Sequence, residues 1–248
     1  MSKWFKKYRY QARARVRLFC FPYAGGSARI FAGWEKLLPA SVDVFALEAP
    51  GRGVRMSEAP LSDLRAMTAI VADEIRPYLD VPYVFFGHSL GALAAFDLAR
   101  ELQARGVAGP RHLILSAKRA PHLPKRELIH TVPFDEFLER LRHLAATPAE
   151  VLGEEDLMRL YEPMLRADFA LSETYQPPPG TRIHCPVTLF GGEADPEVPK
   201  EDLLAWREHL AGPVDVAEFP GGHFFIHSQR EAVVAKVRTI VEDVAARE

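Results

Sequence analysis

The pentapeptide Gly87-His88-Ser89-Leu90-Gly91 sets a serine between two glycines. It follows an apolar run at 83–86 and opens an Ala- and Leu-rich stretch, 90–105, that stops at Gly106. Strand, sharp turn, helix is the context in which G-x-S-x-G carries chemistry. Such a turn strains the serine backbone, and its glycines admit close approach of neighbouring chain. The hydroxyl then stands above a sheet at a helix N-terminus. Ser89 is the expected nucleophile.

A serine hydroxyl attacks poorly until a base takes its proton, and that base needs an acid to orient it. Where this turn occurs, the chain order is serine, acid, histidine. His223 follows the last apolar run, 214–219, through Pro220-Gly221-Gly222, which puts it on a loop at a strand's carboxyl end. His112 and His184 precede or begin strands, while His130, His143 and His209 fall on helices or in a helical insertion. His227 is the nearest rival, one helical turn deeper. For the acid, the run 112–115 leads into Ser116-Ala117-Lys118-Arg119, which has no carboxylate. The run 187–190 leads into Gly191-Gly192-Glu193-Ala194-Asp195-Pro196. Asp195 is the expected acid and Glu193 the alternative.

The oxyanion of an acyl transfer needs backbone N–H donors placed in advance. Leu90, the residue after the nucleophile, is one. The other is expected from Ala24, in the loop Phe21-Pro22-Tyr23-Ala24-Gly25-Gly26-Ser27, whose glycine pair lets the chain turn back over Ser89. As a phosphate loop this run lacks the lysine of G-x-x-x-x-G-K. His223 and His227 have the spacing of a metal pair, but no glutamate follows the first, and no C-x-x-C pair exists. Neither a metal nor a cofactor is expected.

Short β-rich runs at 16–21, 42–47, 83–86, 112–115, 187–190 and 214–219 alternate with helical patterns at 63–78, 90–105, 203–210 and 230–246. Most of the runs are continuously apolar, as in parallel strands buried on both faces. Ser62 is the candidate cap of the helix at 63–78. The fold class is α/β: an open, mostly parallel sheet with helices on both faces. From 120 to 180 the rhythm breaks. Segments 134–144, 154–160 and 164–175 look helical and end on Gln176-Pro177-Pro178-Pro179-Gly180. An insertion leaving the carboxyl ends of the strands lies where such sheets bind ligands, so it reads as a helical lid. The expected organisation is a basic, poorly ordered arm at 1–15, a core at 16–119 and 181–248, and a lid at 120–180.

The 248 residues, 48% of them apolar, suffice for one sizeable core. The first 17 residues hold seven of the 31 Lys and Arg and no acid, so the body is acidic. No basic stripe crosses it, which argues against nucleic-acid binding. No apolar stretch approaches the ~20 residues that span a bilayer. The basic N-terminus lacks the apolar core of a signal peptide, and there is no Asn to glycosylate. Cys20 and Cys185 read as buried thiols of a reducing compartment. The expectation is a cytoplasmic monomer with no membrane partner.

These stretches, with Ala49-Pro50-Gly51-Arg52-Gly53, Leu165-Arg166-Ala167-Asp168-Phe169 and Phe219-Pro220-Gly221-Gly222-His223-Phe224-Phe225, closely resemble type II thioesterases. Those are free-standing α/β-hydrolase enzymes that accompany polyketide synthases and nonribosomal peptide synthetases. The resemblance runs from about residue 16 onward. It implies hydrolysis of acyl thioesters from the phosphopantetheine arm of acyl or peptidyl carrier proteins, an editing role that frees stalled carriers. Ser89, Asp195 and His223 fall on the family's triad, and Ala24 and Leu90 on its oxyanion hole. Tyr23 departs from the family's F-P-H-A-G-G, which bears on pocket shape more than on mechanism. A fatty acyl chain-terminating thioesterase, a generic carboxylesterase and a catalytically silent binding protein are the alternatives. Lys118, Arg119, Lys125 and Arg126 cluster where the lid begins, and a local positive patch there suits docking of an acidic carrier, with the basic N-terminal arm as the competing docking element.

Overall fold

The computed structural model describes residues 2–124, 128–143 and 154–247. Seven strands form one sheet: β1 Phe5–Arg9, β2 Val16–Phe21, β3 Val42–Leu47, β4 Tyr83–His88, β5 His112–Ser116, β6 Val187–Gly192 and β7 Val214–Phe219. Their order is β1-β3-β2-β4-β5-β6-β7, with only β1 antiparallel to its neighbour. The helices are α1 Trp34–Leu37, α2 Leu64–Ile75, α3 Leu90–Ala104, α4 Phe134–His143, α5 Glu155–Thr174, α6 Lys200–Leu204, α7 Phe225–Ser228 and α8 Arg230–Ala246. This is the α/β-hydrolase architecture.

Alternate side chains of each strand serve opposite layers. Phe19, Phe45 and Phe85 pack with Met67 and Val71 of α2 and Leu93 and Phe96 of α3. Leu18, Val44, Val84 and Phe86 pack with Trp34 of α1 and Val233, Val237 and Val241 of α8. Helices on both faces explain why these strands are apolar throughout. The chain runs from β2 outward to β3, then returns to β4 on the other side of β2. The strand order therefore reverses between β2 and β4, and a crevice opens at their carboxyl ends. The loop after β2 carries Ala24, and the turn after β4 carries Ser89.

Four expectations need correction. The residues read as a poorly ordered arm contain β1, which pairs with β3 from Phe5↔Leu47 to Arg9↔Val44. Phe5 meets Phe19 edge-on at 5.4 Å, and the Arg55 guanidinium lies 4.2 Å from the Trp4 ring centroid. Arg9 donates to Pro39 O at 2.6 Å, and Arg17 is buried against Asp43 at 3.3 Å. These bonds turn half-charged sequence into sheet edge. Second, Asp63 rather than Ser62 caps α2, its Oδ1 accepting from Arg65 N and Ala66 N at 2.9 and 3.1 Å. Third, 154–160 and 164–175 are one helix, α5, which runs through Pro163. Burial of Met158, Met164, Leu165, Ala167, Ala170 and Leu171 outweighs the ~3 kcal/mol cost of an interior proline. Fourth, the helix expected at 203–210 is α6, starting at Lys200, followed by a tighter 3₁₀ turn. Between β5 and β6, α4 and α5 share their own apolar cluster of Phe137, Leu138, Leu141, Met158, Met164 and Leu165. Among the described residues no helix is long and apolar enough to cross a membrane.

Candidate active site

The turn after β4 is fixed by steric exclusion. A Cβ on Gly87 would stand 2.1 Å from Gly91 O, and one on Gly91 would stand 2.0 Å from Phe21 O. Only glycine fits at either position. Ser89 between them has φ 54° and ψ −117°, a strained conformation for a residue with a side chain. The Ser89 N–H donates to Ser116 O at 2.8 Å, which ties the turn to the end of β5.

The structure brings Ser89, His223 and Asp195 together. Ser89 Oγ lies 3.1 Å from His223 Nε2, and His223 Nδ1 lies 2.8 Å from Asp195 Oδ2. A carboxylate at Nδ1 holds the proton there, so the Nε2 lone pair faces the serine hydroxyl. Asp195 Oδ1 also accepts from Glu197 N at 2.8 Å. The loops carrying Asp195 and His223 are laced by Glu193 N to Phe219 O at 2.9 Å and Ala194 N to Gly221 O at 3.0 Å. The rivals lie elsewhere. Glu193 is exposed. His227 bonds through Nε2 to Tyr23 OH at 2.9 Å, and burial followed by the Arg230 charge lowers its pKa. His112, at the amino end of β5, bonds Thr188 Oγ1 at 2.8 Å.

Among the described residues, the N–H groups of Ala24 and Leu90 have no protein acceptor. The loop holding Ala24 closes on a Gly26 N to Tyr23 O bond of 2.9 Å. It is anchored from outside by residues with no assigned role in the sequence reading. Asp168 of α5 accepts from Gly25 N at 2.7 Å and takes both arms of the Arg52 guanidinium, each at 2.7 Å. Arg52 also donates to Gly26 O at 3.1 Å. Both side chains are buried. They sit in two of the quoted motifs, but 116 residues separate them and no local pattern marks them as partners. His88 and Ser116 were missed for the same reason.

Ser89 and His223 open on a cavity of about 510 Å³, lined also by Ala24, Leu90, Leu93, Ala120 and Phe169. A second cavity of about 330 Å³ lies beyond Ala24, walled by Met56, Met158, Met164 and Leu165. Tyr23 borders both. Of the four basic residues expected as a patch, Lys118 lines the first cavity and donates to Ser172 Oγ at 2.5 Å. Arg119 pairs with Asp202 at 3.0 Å. Lys125 and Arg126 lie outside the described residues. Among the described residues no cluster of three or more His, Cys, Asp or Glu is arranged to hold a metal ion.

Residues 16–241 match the family model described as "Thioesterase domain". The gramicidin S biosynthesis protein GrsT of Aneurinibacillus migulanus is 38% identical over 235 residues, 94% of this chain and 92% of that protein. The solved RedJ thioesterase from the prodiginine pathway of Streptomyces coelicolor is 38% identical, with a TM-score of 0.85 over 92% of this chain and 86% of that one. The type II thioesterase BorB from the borrelidin biosynthetic cluster is 34% identical, with a TM-score of 0.85 over 94% and 96%. A family match that takes in β2 to β7, and relatives alike in sequence, length and fold, make this chain a member of the thioesterase family, on its type II branch.

Proposed function

We propose that the protein hydrolyses acyl thioesters held on the phosphopantetheine arm of carrier domains, editing a nonribosomal peptide or polyketide assembly line. What carries the reading is the hydrogen-bonded run from Asp195 through His223 to Ser89 at the mouth of an apolar cavity. In the first step His223 Nε2 takes the Ser89 proton as Oγ attacks the thioester carbonyl. The Ala24 and Leu90 N–H groups hold the resulting oxyanion. On collapse the C–S bond breaks, and the pantetheine thiolate takes the proton from the imidazolium. Water then gives a proton to His223 and attacks the acyl-serine, releasing the carboxylic acid and restoring Ser89. Asp195 keeps the Nδ1 tautomer and stabilises the imidazolium in both halves.

The helices α4 and α5 form the lid of this site in our reading, with the main cavity taking the acyl chain and the pantetheine end near Lys118 and Arg119. The enzyme works as a cytoplasmic monomer that meets its carriers in solution. The test is a pair of variants. Ser89→Ala keeps the fold and abolishes labelling by a serine-directed phosphonate. Asp195→Asn lowers kcat on an acyl-carrier substrate by about 10³- to 10⁴-fold, since the wrong tautomer is favoured. Unchanged labelling of the first, or a larger loss in Glu193→Gln than in Asp195→Asn, overturns the assignment. Faster turnover of simple oxygen esters than of acyl-carrier thioesters would make the protein a carboxylesterase.

A further inference from the structure

His88 stands inside the nucleophile turn, is fully buried, and has no part in the chemistry above. Both of its ring nitrogens are engaged. Nε2 lies 2.9 Å from the backbone oxygen of His223, and Nδ1 lies 2.8 Å from Ser116 Oγ. A carbonyl oxygen only accepts, so Nε2 bears a proton. Burial above all, with the His223 and His227 rings nearby, pushes the His88 pKa well below the ordinary histidine range, so the ring carries that proton alone. Nδ1 therefore accepts from the Ser116 hydroxyl.

Ser116 is also the residue whose backbone oxygen receives the Ser89 N–H. One strand end thus holds the nucleophile through its main chain and His88 through its side chain. His88 then reaches the main chain of His223, 135 residues away. That carbonyl follows Gly221-Gly222, with Gly221 at φ 109°, and no other donor among the described residues bonds it. Left to itself, such a loop has backbone freedom.

We propose that His88 is a positioning residue: its Nε2-protonated ring braces the His223 carbonyl from the nucleophile turn and so sets the reach between the Ser89 hydroxyl and the His223 ring. The proposal rests on reading Ser89 as nucleophile and His223 as base. An uncharged brace also suits the chemistry. The two histidine ring centroids are 5.6 Å apart, and a positive His88 would oppose the imidazolium that forms on His223.

Glutamine and asparagine separate the two ends of the ring. The Gln amide N–H extends to the His223 oxygen. The Asn amide offers an acceptor to Ser116 but falls short of His223. With a saturating acyl thioester, His88→Asn is expected to lose about 10- to 100-fold in kcat, the scale of a misplacement near 1 Å, with KM changed less than about twofold. His88→Gln recovers most of that loss. Ser116→Ala removes the donor to Nδ1 and keeps the main-chain bond to Ser89. It lowers kcat in the wild-type background and costs nothing further in His88→Gln, as coupled neighbours do. Thermal unfolding is read beside kcat for each variant. Wild-type kcat in His88→Asn overturns the proposal, as do equal losses in the Asn and Gln variants. Should His88→Asn fail to fold, the Ser116→Ala pair decides. No loss in wild type, or an equal loss in both backgrounds, overturns it. Phosphonate labelling of Ser89→Ala tests the underlying reading separately. If labelling is abolished and the kcat pattern fails, only the brace falls.

Discussion

At the scale of single residues, histidine environments on this sheet diverge according to which strand end holds them. His223 sits on a loop at the carboxyl end, bonded to Asp195 and facing Ser89. His112 begins β5, where burial first lowers its pKa, to about 4. Asp215 and Asp243 oppose that shift, while Arg247 and Lys236 add to it. The unfolded chain binds a proton near pH 6.5, and the folded one resists until about pH 4. The stability contributed by neutral His112 is thus whole above pH 6.5 and is lost as pH falls toward 4. The loss is on the order of 3 kcal/mol by linkage. Denaturant titrations at pH 7 and pH 4.5 should show a smaller acid-induced drop in His112→Gln than in wild type. Equal drops would mean that His112 charges as freely in the folded protein as in the unfolded chain.

Between elements, the decisive contact is Arg52 with Asp168. It joins the loop after β3, the loop after β2 and α5 in one buried ion pair. Because Asp168 also receives Gly25 N–H, the seat of α5 and the direction of the neighbouring Ala24 N–H are set by the same carboxylate. Asp168→Asn leaves the Arg52 charge buried without its full partner. The expected cost is roughly 3–5 kcal/mol of stability, read as a fall in Tm. If the Ala24 donor slackens with it, kcat falls by at least about tenfold, below the 10²–10³ of losing a donor outright. A lower Tm with wild-type kcat would show that the pair only clamps the helix. Arg52→Lys should be intermediate in Tm, since lysine keeps the charge and loses the paired geometry.

For the whole molecule, the proposed function asks how an acidic body would receive a carrier domain. Of the basic N-terminal residues, Arg17 is buried against Asp43 and Arg9 bonds the Pro39 oxygen, while Lys3, Lys6, Arg13 and Arg15 stay exposed. The start of the α4–α5 insertion is our candidate docking edge, with the exposed N-terminal bases as the competing one. Its described charge is modest, since Arg119 is paired with Asp202 and both Lys118 and Arg119 line the cavity. Arg119→Glu is expected to raise KM for acyl-carrier substrates several-fold and to flatten their salt dependence. Exposed charge steering is screened beyond ~10 Å at 0.1 M salt. A small acyl thioester without phosphate or protein should be turned over as before. Equal losses on both substrates would assign Arg119 to the support of the site through Asp202.

What the sequence determined by itself is what short-range physics governs. Continuous apolar runs force doubly covered strands, and glycines at 87 and 91 permit a turn that no other residue survives. The chain order of serine, acid and histidine follows from strand-end loops that local punctuation makes visible. Beyond that, tertiary packing decided. Nothing local distinguishes Asp195 from Glu193 until the loops at 193–195 and 219–221 are laced together and bury one carboxylate at the histidine. A basic terminus became sheet because the β3 edge and two aromatic rings, Phe19 and Phe45, were there to receive it. Helix α5 crosses its proline because its buried face outweighs a local penalty. The Arg52–Asp168 clamp and the His88 brace join residues 116 and 135 positions apart. Their energy comes from satisfying buried polar groups, a demand that exists only once the chain has removed water from around them.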